Sequence, residues 1–399
     1  MLTRLLKADL ARSAVVALTL TALIALASTL MSASTSLIVD TASAMSRLSQ
    51  RAKVPDLIQM HTGDLDPATI EDWTDTRSDI TEHEIIKTLP IPRQELWIDG
   101  VSQTGSYHEP AFVTAPQSID LLLDEDGDPV HPSPGQVALP VHYKAVGAAD
   151  VGDTITVDTG DWTMDLEVVG FVRDAQMNAA MIPSKRLVIS PEDFSSFEEH
   201  LTETEYLIEF SLADGARPHA VIDDYKAAGL PSTGINVDGS MVVLMNSLST
   251  MLIAAVALVV AVMLVVVAML ALRYTVLAAI EADLAQIAVL KAIGAPHSQI
   301  RRLYLLKYMV LSLVGAVIGY LAGIPLATAL GAPALLYLGT PPTSIWSVGL
   351  PILMVLVLAG TIIGFTRATL RRVGKISAVE ALRSGTSGAL RRRRHRWRL

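Results

Sequence analysis

The sequence predicts an α-helical membrane protein with four transmembrane helices in a one-plus-three order and a large extracytoplasmic α+β domain between the first and second helix. Two observations predict this fold class. The uncharged residues of the 399-residue chain are concentrated in three long runs, and a helix that crosses a bilayer needs about 20 apolar residues in succession. The charged segments between these runs alternate in sign. The mean hydropathy of +0.43 is too high for an ordinary soluble enzyme.

The three uncharged runs provide the four helices. Residues 13–39 and 239–272 contain 27 and 34 uncharged residues, enough for one helix each. Residues 308–366 contain 59 uncharged residues, enough for two helices of about 20 residues. We expect a break near the middle of this run, where turn-forming residues are found: Gly331, Pro333 and the Pro-Pro-Thr-Ser sequence at 341–344.

A cleaved signal peptide is the alternative interpretation of the first helix. Three basic residues, Arg4, Lys7 and Arg12, precede it, and the small residues 42–44 resemble a cleavage site. The uncharged run of 27 residues is longer than the apolar region of about 7–15 residues in signal peptides. The length therefore favours a retained helix.

The charge distribution predicts the orientation, because cytoplasmic flanks are enriched in Lys and Arg. Residues 1–12, 273–307 and 367–399 together hold 19 Lys or Arg against 4 acids, whereas residues 40–238 hold 12 against 36. We therefore expect a multi-pass protein of the plasma (inner) membrane with both termini in the cytoplasm and the acidic segment outside. The predicted divisions are 1–39 (cytoplasmic N-terminus and first helix), 40–238 (external domain), 239–272 (second helix), 273–307 (cytoplasmic helix and loop), 308–330 (third helix), 331–346 (short external loop), 347–366 (fourth helix) and 367–399 (basic cytoplasmic tail).

The external domain has a mixed α+β pattern. Two β-rich runs, 154–157 and 166–172, flank Thr159-Gly160-Asp161, which is typical of a hairpin. Residues 205–210 read as a further strand. Residues 218–230 read as a short helix that begins at a proline and ends at Gly229.

No feature of the external domain predicts catalysis or metal binding. The acidic cluster 124–128 has glycine at its fourth position, whereas an EF-hand needs glycine at the sixth and a distal glutamate; a solvated Asp-Gly turn explains it better. Seven histidines lie in the domain, none with the close paired spacing of a metal site. The chain has no cysteine, which excludes disulfides, thiolate nucleophiles and thiolate-bound metals. We expect no catalytic residue, no metal and no cofactor in this chain.

The segment after the second helix contains a motif. Apolar residues at 280, 284, 287 and 288 share one helical face, while Glu281, Asp283 and Gln286 lie elsewhere on that helix. The pattern predicts a helix at the membrane surface that ends at Gly294, a natural helix-terminating residue. From the residues alone, a solvated cytoplasmic loop remains an alternative.

The sequence QIAVLKAIGA at 286–295 resembles the signature of the FtsX-like permeases of ATP-binding-cassette systems, the group that includes MacB-type and LolC/LolE-type proteins. Residues 375–383, KISAVEALR, resemble the ending of these proteins, with Ala378 in place of a usual proline. The Val-Gly-Asp-Thr-Ile turn at 151–155 and the one-plus-three helix order are also similar. The resemblance thus covers nearly the whole chain.

The resemblance implies a permease subunit that docks a separate cytoplasmic ABC ATPase dimer, which binds ATP and Mg; this chain has no phosphate-binding loop of the Gly-x-x-x-x-Gly-Lys-Ser/Thr type. It also implies a second permease copy or a related permease half, and leaves room for an extracytoplasmic accessory protein. Gln286 stands where the family usually has an acid. The implied ATPase-coupling residues are Glu281, Asp283, Gln286, Lys291, Ile293 and Gly294.

Two further patterns concern packing and the tail. Gly315, Gly319 and Gly323 recur every four residues and would allow close approach of a neighbouring helix, either in another subunit or in the same chain. The arginine-rich residues 391–398 are explained by attraction to anionic membrane lipid. Nucleic acid is not an expected partner.

The resemblance predicts export or extraction of an amphipathic substrate such as a peptide, lipid or drug, driven by mechanical transmission from the ATPase. Two alternatives remain at this point. One is a mechanical regulator of a cell-wall hydrolase, and the other is a permease that senses an antimicrobial peptide and signals to a kinase.

Overall fold

The computed structural model describes residues 14–177, 179–282 and 297–373. The chain divides into two compact units. The helical unit comprises the residues up to 39, residues 252–330 and those from 344 onward, and the sheet unit comprises residues 40–251 and 331–343. In chain order, the elements are α1 (Ala14–Ala52), β1 (Leu57–Thr62), α2 (Pro67–Asp75), β2 (Ile80–Pro90), β3 (Leu96–Ile98), β4 (Val101–Ser102), β5 (Glu109–Thr114), β6 (Gln136–Pro140), α3 (Val141–Ala145), β7 (Thr154–Asp158), β8 (Thr163–Val172), β9 (Ser184–Ile189), α4 (Pro191–Glu198), β10 (Glu205–Leu212), α5 (Pro218–Ala227), β11 (Asn236–Asp238), α6 (Gly239–Ala282), α7 (His297–Leu338) and α8 (Ile345–Val373).

Helices α1, α6, α7 and α8 each contain a stretch long and apolar enough to cross a membrane. The sequence prediction of four such helices, with a sheet-containing domain between the first and second, is confirmed. Within the helical unit, α1, α6, α7 and α8 bury one shared apolar cluster, which includes Ile24, Ala261, Tyr308 and Ile362.

The first two long helices extend beyond the predicted boundaries. Helix α1 contains 39 residues and α6 contains 44, and at about 1.5 Å per residue both exceed the hydrocarbon thickness of about 30 Å. The expected start of the external domain, residue 40, is also the start of the sheet unit, but helix α1 does not end there and continues to Ala52. Asp40 ends the uncharged run without ending the helix, because residues 41–52 contain no Gly or Pro and bury an apolar face in the sheet unit.

The expected break is present at the Pro-Pro-Thr-Ser sequence 341–344, but it does not include Gly331 and Pro333. Gly331 and Pro333 lie inside α7, which continues to Leu338. The turn is formed instead by Gly339, with a φ of +82°, and by the two prolines that follow it. Residues 335–338 pack into the apolar clusters of the sheet unit, and this packing offsets the one hydrogen bond that a helical proline forfeits. The connection to α8 is therefore 339–344 and not 331–346.

Glycines of α7 face α1 inside the helical unit. A Cβ atom placed on Gly315 would lie 3.0 Å from the carbonyl oxygen of Thr21, and one on Gly319 would collide with the carbonyl oxygen of Ala25 and with Ser28. Gly323 meets Ser32 in the same way. The face that these three glycines form is thus occupied by the first helix of the same chain.

The sheet unit is built on an 11-stranded sheet with the order β11-β1-β10-β2-β5-β9-β6-β8-β7-β3-β4. Pairing is antiparallel except between β5 and β9 and between β6 and β8. Strand β1 lies between β10 and β11, so the strands at this end come from both ends of the unit. Successive residues such as Phe112 and Val113 enter different apolar clusters, so the central strands are buried on both faces.

The local elements predicted for this unit are confirmed. Strands β7 and β8 form the expected antiparallel hairpin, and β10 contains the strand predicted at 205–210. Helix α5 begins at Pro218, and Gly229 follows it with a φ of +73°.

The packing of α7 on α1 can be tested with matched glycine substitutions. We expect Gly319→Ala to destabilise the protein by about 1–3 kcal/mol, because a methyl group there meets backbone and must force the helices apart. Gly360→Ala, in α8, meets nothing within 4 Å and should be neutral or stabilising by up to about 1 kcal/mol. Thermal unfolding of the full chain in detergent measures both; equal melting temperatures would contradict the close packing.

Candidate functional site

A loop in the sheet unit is folded around a buried lysine. We call residues 173–182, of which 178 is outside the described residues, the latch loop. The Nζ of Lys185, on β9, donates hydrogen bonds to the carbonyl oxygens of Met177 (3.0 Å), Ala179 (3.1 Å) and Ile182 (2.6 Å). Lys185 is 1% exposed, and burial lowers its pKa to about 8. A buried ammonium needs several acceptors, and these carbonyls fix the course of the loop.

Asn246 joins the latch loop to the beginning of α6. Its Oδ1 accepts a hydrogen bond from the backbone N–H of Ala179 at 2.9 Å, and its Nδ2 donates to the carbonyl oxygen of Ala175 at 2.9 Å. The same amide reaches the carbonyl oxygens of Gln176 and Val242. Asn246 is 8% exposed, so loss of this side chain would leave buried backbone groups unpaired.

A buried ion cluster supports the other side of the latch loop. The guanidinium of Arg186 forms a bidentate pair with Asp174, with Nε to Oδ2 at 2.7 Å and Nη2 to Oδ1 at 2.6 Å, and its Nη1 contacts Asp120. All three side chains are at most 1% exposed. Asp174 Oδ1 also accepts the backbone N–H groups of Gln176 (2.9 Å) and Met177 (2.8 Å), so one carboxylate links the ion cluster to the loop backbone.

A third acidic group, Glu209, lies in this cluster. Burial, followed by the nearby Asp120 carboxylate, raises the pKa of Glu209 well above its ordinary value. Its Oε1 accepts a hydrogen bond from Gln176 Nε2 at 2.5 Å. Burial also raises the pKa of Asp120, to about 6.

The ends of α1 and α7 are attached to an acidic turn of the sheet unit. Asp124 Oδ1 accepts the backbone N–H groups of residues 126, 127 and 128, which confirms the Asp-Gly turn expected for 124–128. Arg51, near the end of α1, donates to the carbonyl oxygen of Asp126 at 3.2 Å. Arg173 contacts the carbonyl oxygen of Glu125 and donates to that of Leu336, on α7, at 3.1 Å.

Two histidines lie beside the end of α7. The rings of His108 and His142 are 4.3 Å apart between centroids, and His142 Nδ1 lies 3.1 Å from the hydroxyl of Tyr337. Burial, followed by the charges of His108 and Lys185, lowers the pKa of His142 to about 4, so His142 is neutral at neutral pH. Within the described ranges, no group of three or more His, Cys, Asp or Glu residues could hold a metal ion.

Four side chains therefore attach the ends of three long helices to the sheet unit. We call them the helix anchors: Arg51, Arg173, His142 and Asn246. Two of them act on α7, while Arg51 lies on α1 and Asn246 lies on α6. This set of four side chains contains no nucleophile paired with a base.

Comparison with protein families identifies the helical part of the chain. Residues 258–371 match the family model described as FtsX-like permease C-terminal. This part of the chain is similar to the C-terminal part of FtsX-like permeases. The matched residues run through α6, α7 and α8 and confirm the resemblance noted from the sequence. The four long helices α1, α6, α7 and α8 are each long and apolar enough to cross a membrane.

Among solved structures, the periplasmic region of MacB from Actinobacillus actinomycetemcomitans matches with a TM-score of 0.29 and 10% sequence identity, over 47% of this chain and 90% of that chain. No curated protein matches the chain.

The coupling residues expected from the sequence lie at the edge of the described chain or outside it. Glu281 is in the last turn of α6. Asp283, Gln286, Lys291, Ile293 and Gly294 all lie outside the described residues. Their assignment to ATPase coupling stays a prediction.

The residues around the latch loop were not predicted from the sequence. Two signals were available. Asn246 is the one asparagine in an uncharged run of 34 residues, and Lys185 and Arg186 are adjacent charges at the start of a strand that continues with Leu-Val-Ile. Charged residues at core positions are rare unless they are paired.

We expect Asn246→Leu to release the latch loop. Leucine has the same branching as asparagine but cannot form hydrogen bonds to the Ala179 N–H or to the carbonyl oxygen of Ala175, so backbone N–H groups of the loop should exchange with solvent faster. Hydrogen–deuterium exchange of the full chain should show faster exchange in residues 175–182, with Leu244→Ala, an exposed change on the same helix, as the control. Unchanged exchange in the Asn246 variant would show that the amide does not hold the loop.

His142 should make the sheet unit less stable in mild acid. Its pKa is about 4 in the folded protein against 6.5 ordinarily, so between these values the unfolded chain binds more protons and stability falls as the pH falls. We expect His142→Gln to remove about 1–3 kcal/mol of this dependence. Thermal unfolding as a function of pH measures it, with the exposed His131→Gln as the control. Identical pH profiles for wild type and His142→Gln would contradict the assignment.

Proposed function

We propose that this chain is a non-catalytic permease subunit that transmits conformational change from a cytoplasmic ATPase to its external domain, and so exports or extracts an amphipathic substrate such as a peptide, lipid or drug. The observation that supports this most directly is the continuity of α6. It runs without an assigned break from Gly239 to Ala282. Asn246 lies near one end and Glu281 lies at the other, about 50 Å apart along a helix with a rise of 1.5 Å per residue.

The proposed orientation places both chain termini and the basic segments in the cytoplasm and the sheet unit outside, in accordance with the positive-inside bias. Glu281 then lies on the cytoplasmic side, where an ATPase is available, and the latch loop lies on the external side. A rotation or translation of α6 would displace the backbone of the latch loop, because Asn246 forms hydrogen bonds with the backbone of both Ala175 and Ala179.

The proposed partners are a cytoplasmic ABC ATPase dimer, which holds ATP and Mg, and a second copy of this permease or a related half. An extracytoplasmic accessory protein would complete the path of the substrate. The direction of transport and the identity of the substrate depend on these partners.

The proposal is tested by isolating the tagged full chain from gently solubilised native membranes and identifying the proteins that accompany it. We expect a stoichiometric ABC-type ATPase. Glu281→Lys and Gly294→Pro should reduce its recovery and its stimulation at least several-fold, because both alter the expected docking segment, while membrane insertion stays intact. Asn246→Leu should retain the ATPase but lose the response of ATPase activity to substrate.

The control for Glu281→Lys is Glu199→Lys, the same charge reversal at an exposed position of the sheet unit. Normal docking and stimulation in both Glu281→Lys and Gly294→Pro would remove the coupling assignment. Recovery of a cell-wall hydrolase or a kinase in place of an ATPase would replace transport with regulation or sensing.

A further inference from the structure

The helical unit contains a cleft of about 460 Å³ between α1, α6 and α7. Its floor is apolar and buried: Ala17, Leu20, Tyr308 and Leu311 are each less than one-tenth exposed and belong to one apolar cluster. Its rim is open, since Val16 is 42% and Tyr274 is 70% exposed. The volume is comparable to that of one fatty acyl chain.

One charged side chain is found among the described residues that line this cleft. Lys307 is 6% exposed, and its Nζ lies 6.0 Å from the centroid of the Tyr308 ring, within reach of a cation–π interaction. The cleft thus combines an apolar slot with one positive charge at its wall.

The lining residues lie where the uncharged runs meet the basic segments. Ala17 is near the beginning of the run 13–39, Tyr274 follows Arg273, and Tyr308 follows Lys307. Lysine near the end of a transmembrane helix reaches the level of the lipid headgroups. The cleft therefore lies at the depth where an acyl chain and its phosphate can both be reached.

We propose that this cleft binds one anionic phospholipid of the cytoplasmic leaflet, with an acyl chain on the apolar floor and the phosphate paired with Lys307. Basic pockets between transmembrane helices on the cytoplasmic side hold anionic headgroups in this way. A free phosphate would gain nothing from the apolar floor, and a lipid without net charge would gain less from the Lys307 ammonium.

The bound lipid would act on the packing of α6. Its acyl chain contacts α1, α6 and α7 together, and α6 reaches Ala282 at this end. The lipid would thereby stabilise the helix end from which the expected ATPase-docking segment continues. The assignment to the cytoplasmic leaflet rests on the orientation proposed above, whereas binding itself can be measured on the permease without an ATPase.

The experiment compares lipid retention by the purified full chain. Wild type is reconstituted into nanodiscs that contain equal amounts of dioleoyl phosphatidylglycerol and dioleoyl phosphatidylcholine, released and analysed by native mass spectrometry. We expect phosphatidylglycerol to be retained about fivefold over phosphatidylcholine, the factor that corresponds to about 1 kcal/mol for one lysine near the membrane. Lys307→Gln should bring the ratio to about one, and Lys307→Arg should preserve it.

Two further variants keep the test decisive if Lys307→Gln does not fold. Ala278→Trp fills the cleft from α6 and should abolish retention of both lipids, and Arg302→Gln removes an exposed cation that does not line the cleft and should change nothing. Equal retention of the two lipids by wild type, an unchanged preference in Lys307→Gln, or unchanged retention in Ala278→Trp would overturn the proposal. So would a requirement to delete residues 2–12 before any lipid binds, since the occupant would then be the chain's own beginning.

The leaflet is checked separately. Because the chain has no cysteine, single cysteines at Asp214 and Ser384 report the side of the membrane by labelling in intact cells. Labelling of Ser384→Cys and not of Asp214→Cys from outside would overturn the orientation, and with it the cytoplasmic leaflet, while the lipid-retention ratios would still decide whether the site exists.

Discussion

The buried pairing of Arg186 with Asp174 and Asp120 is the interaction on which the rest of the sheet unit depends. Removal of one partner from such a group leaves an uncompensated buried charge and costs about 3–5 kcal/mol. Loss of Asp174 would also destabilise the latch loop, because the same carboxylate accepts hydrogen bonds from the backbone of that loop. That loop in turn holds Asn246 on α6. One ion cluster thus fixes a strand, a loop and the beginning of a long helix relative to one another within the unit.

The helix anchors differ in strength because they differ in burial. The ion pair of Arg51 with Asp128 is 43% and 75% exposed, and exposed pairs contribute about 0–1 kcal/mol. Asn246 is 8% exposed, and hydrogen bonds that become unsatisfied in such an environment cost about 1–3 kcal/mol each. Of these two attachments, that of α6 is therefore the firmer, which agrees with its proposed role as the transmitting helix.

The sequence predicted what depends on local composition. Uncharged runs gave the number and order of the apolar helices, alternation and turn residues gave the β7–β8 hairpin, and the resemblance gave the family. The sequence did not predict where α1 and α7 end. Asp40 and Pro333 locally disfavour a continued apolar helix, but both helices continue because residues 41–52 and 335–338 bury apolar side chains. The sequence also did not predict the contacts of the latch loop. Arg186 and Asp120 are 66 residues apart in the chain, and only the folded sheet brings them together. The isolated Asn246 and the Lys185-Arg186 pair could have marked the region but not its partners.

The position of β1 determines the order in which the protein can be assembled. Strand β1 lies between β10 and β11, so the first strand made by the ribosome must wait for the last two before its hydrogen bonds are complete. Pairings of such long sequence separation form slowly. In the proposed orientation, the sheet unit would remain open, with unpaired strand edges, until residue 238 has left the ribosome and crossed the membrane. Closure of the sheet would then coincide with the insertion of α6. In the folded protein, the hydrogen bonds of Asn246 link the same two parts, the sheet unit and α6.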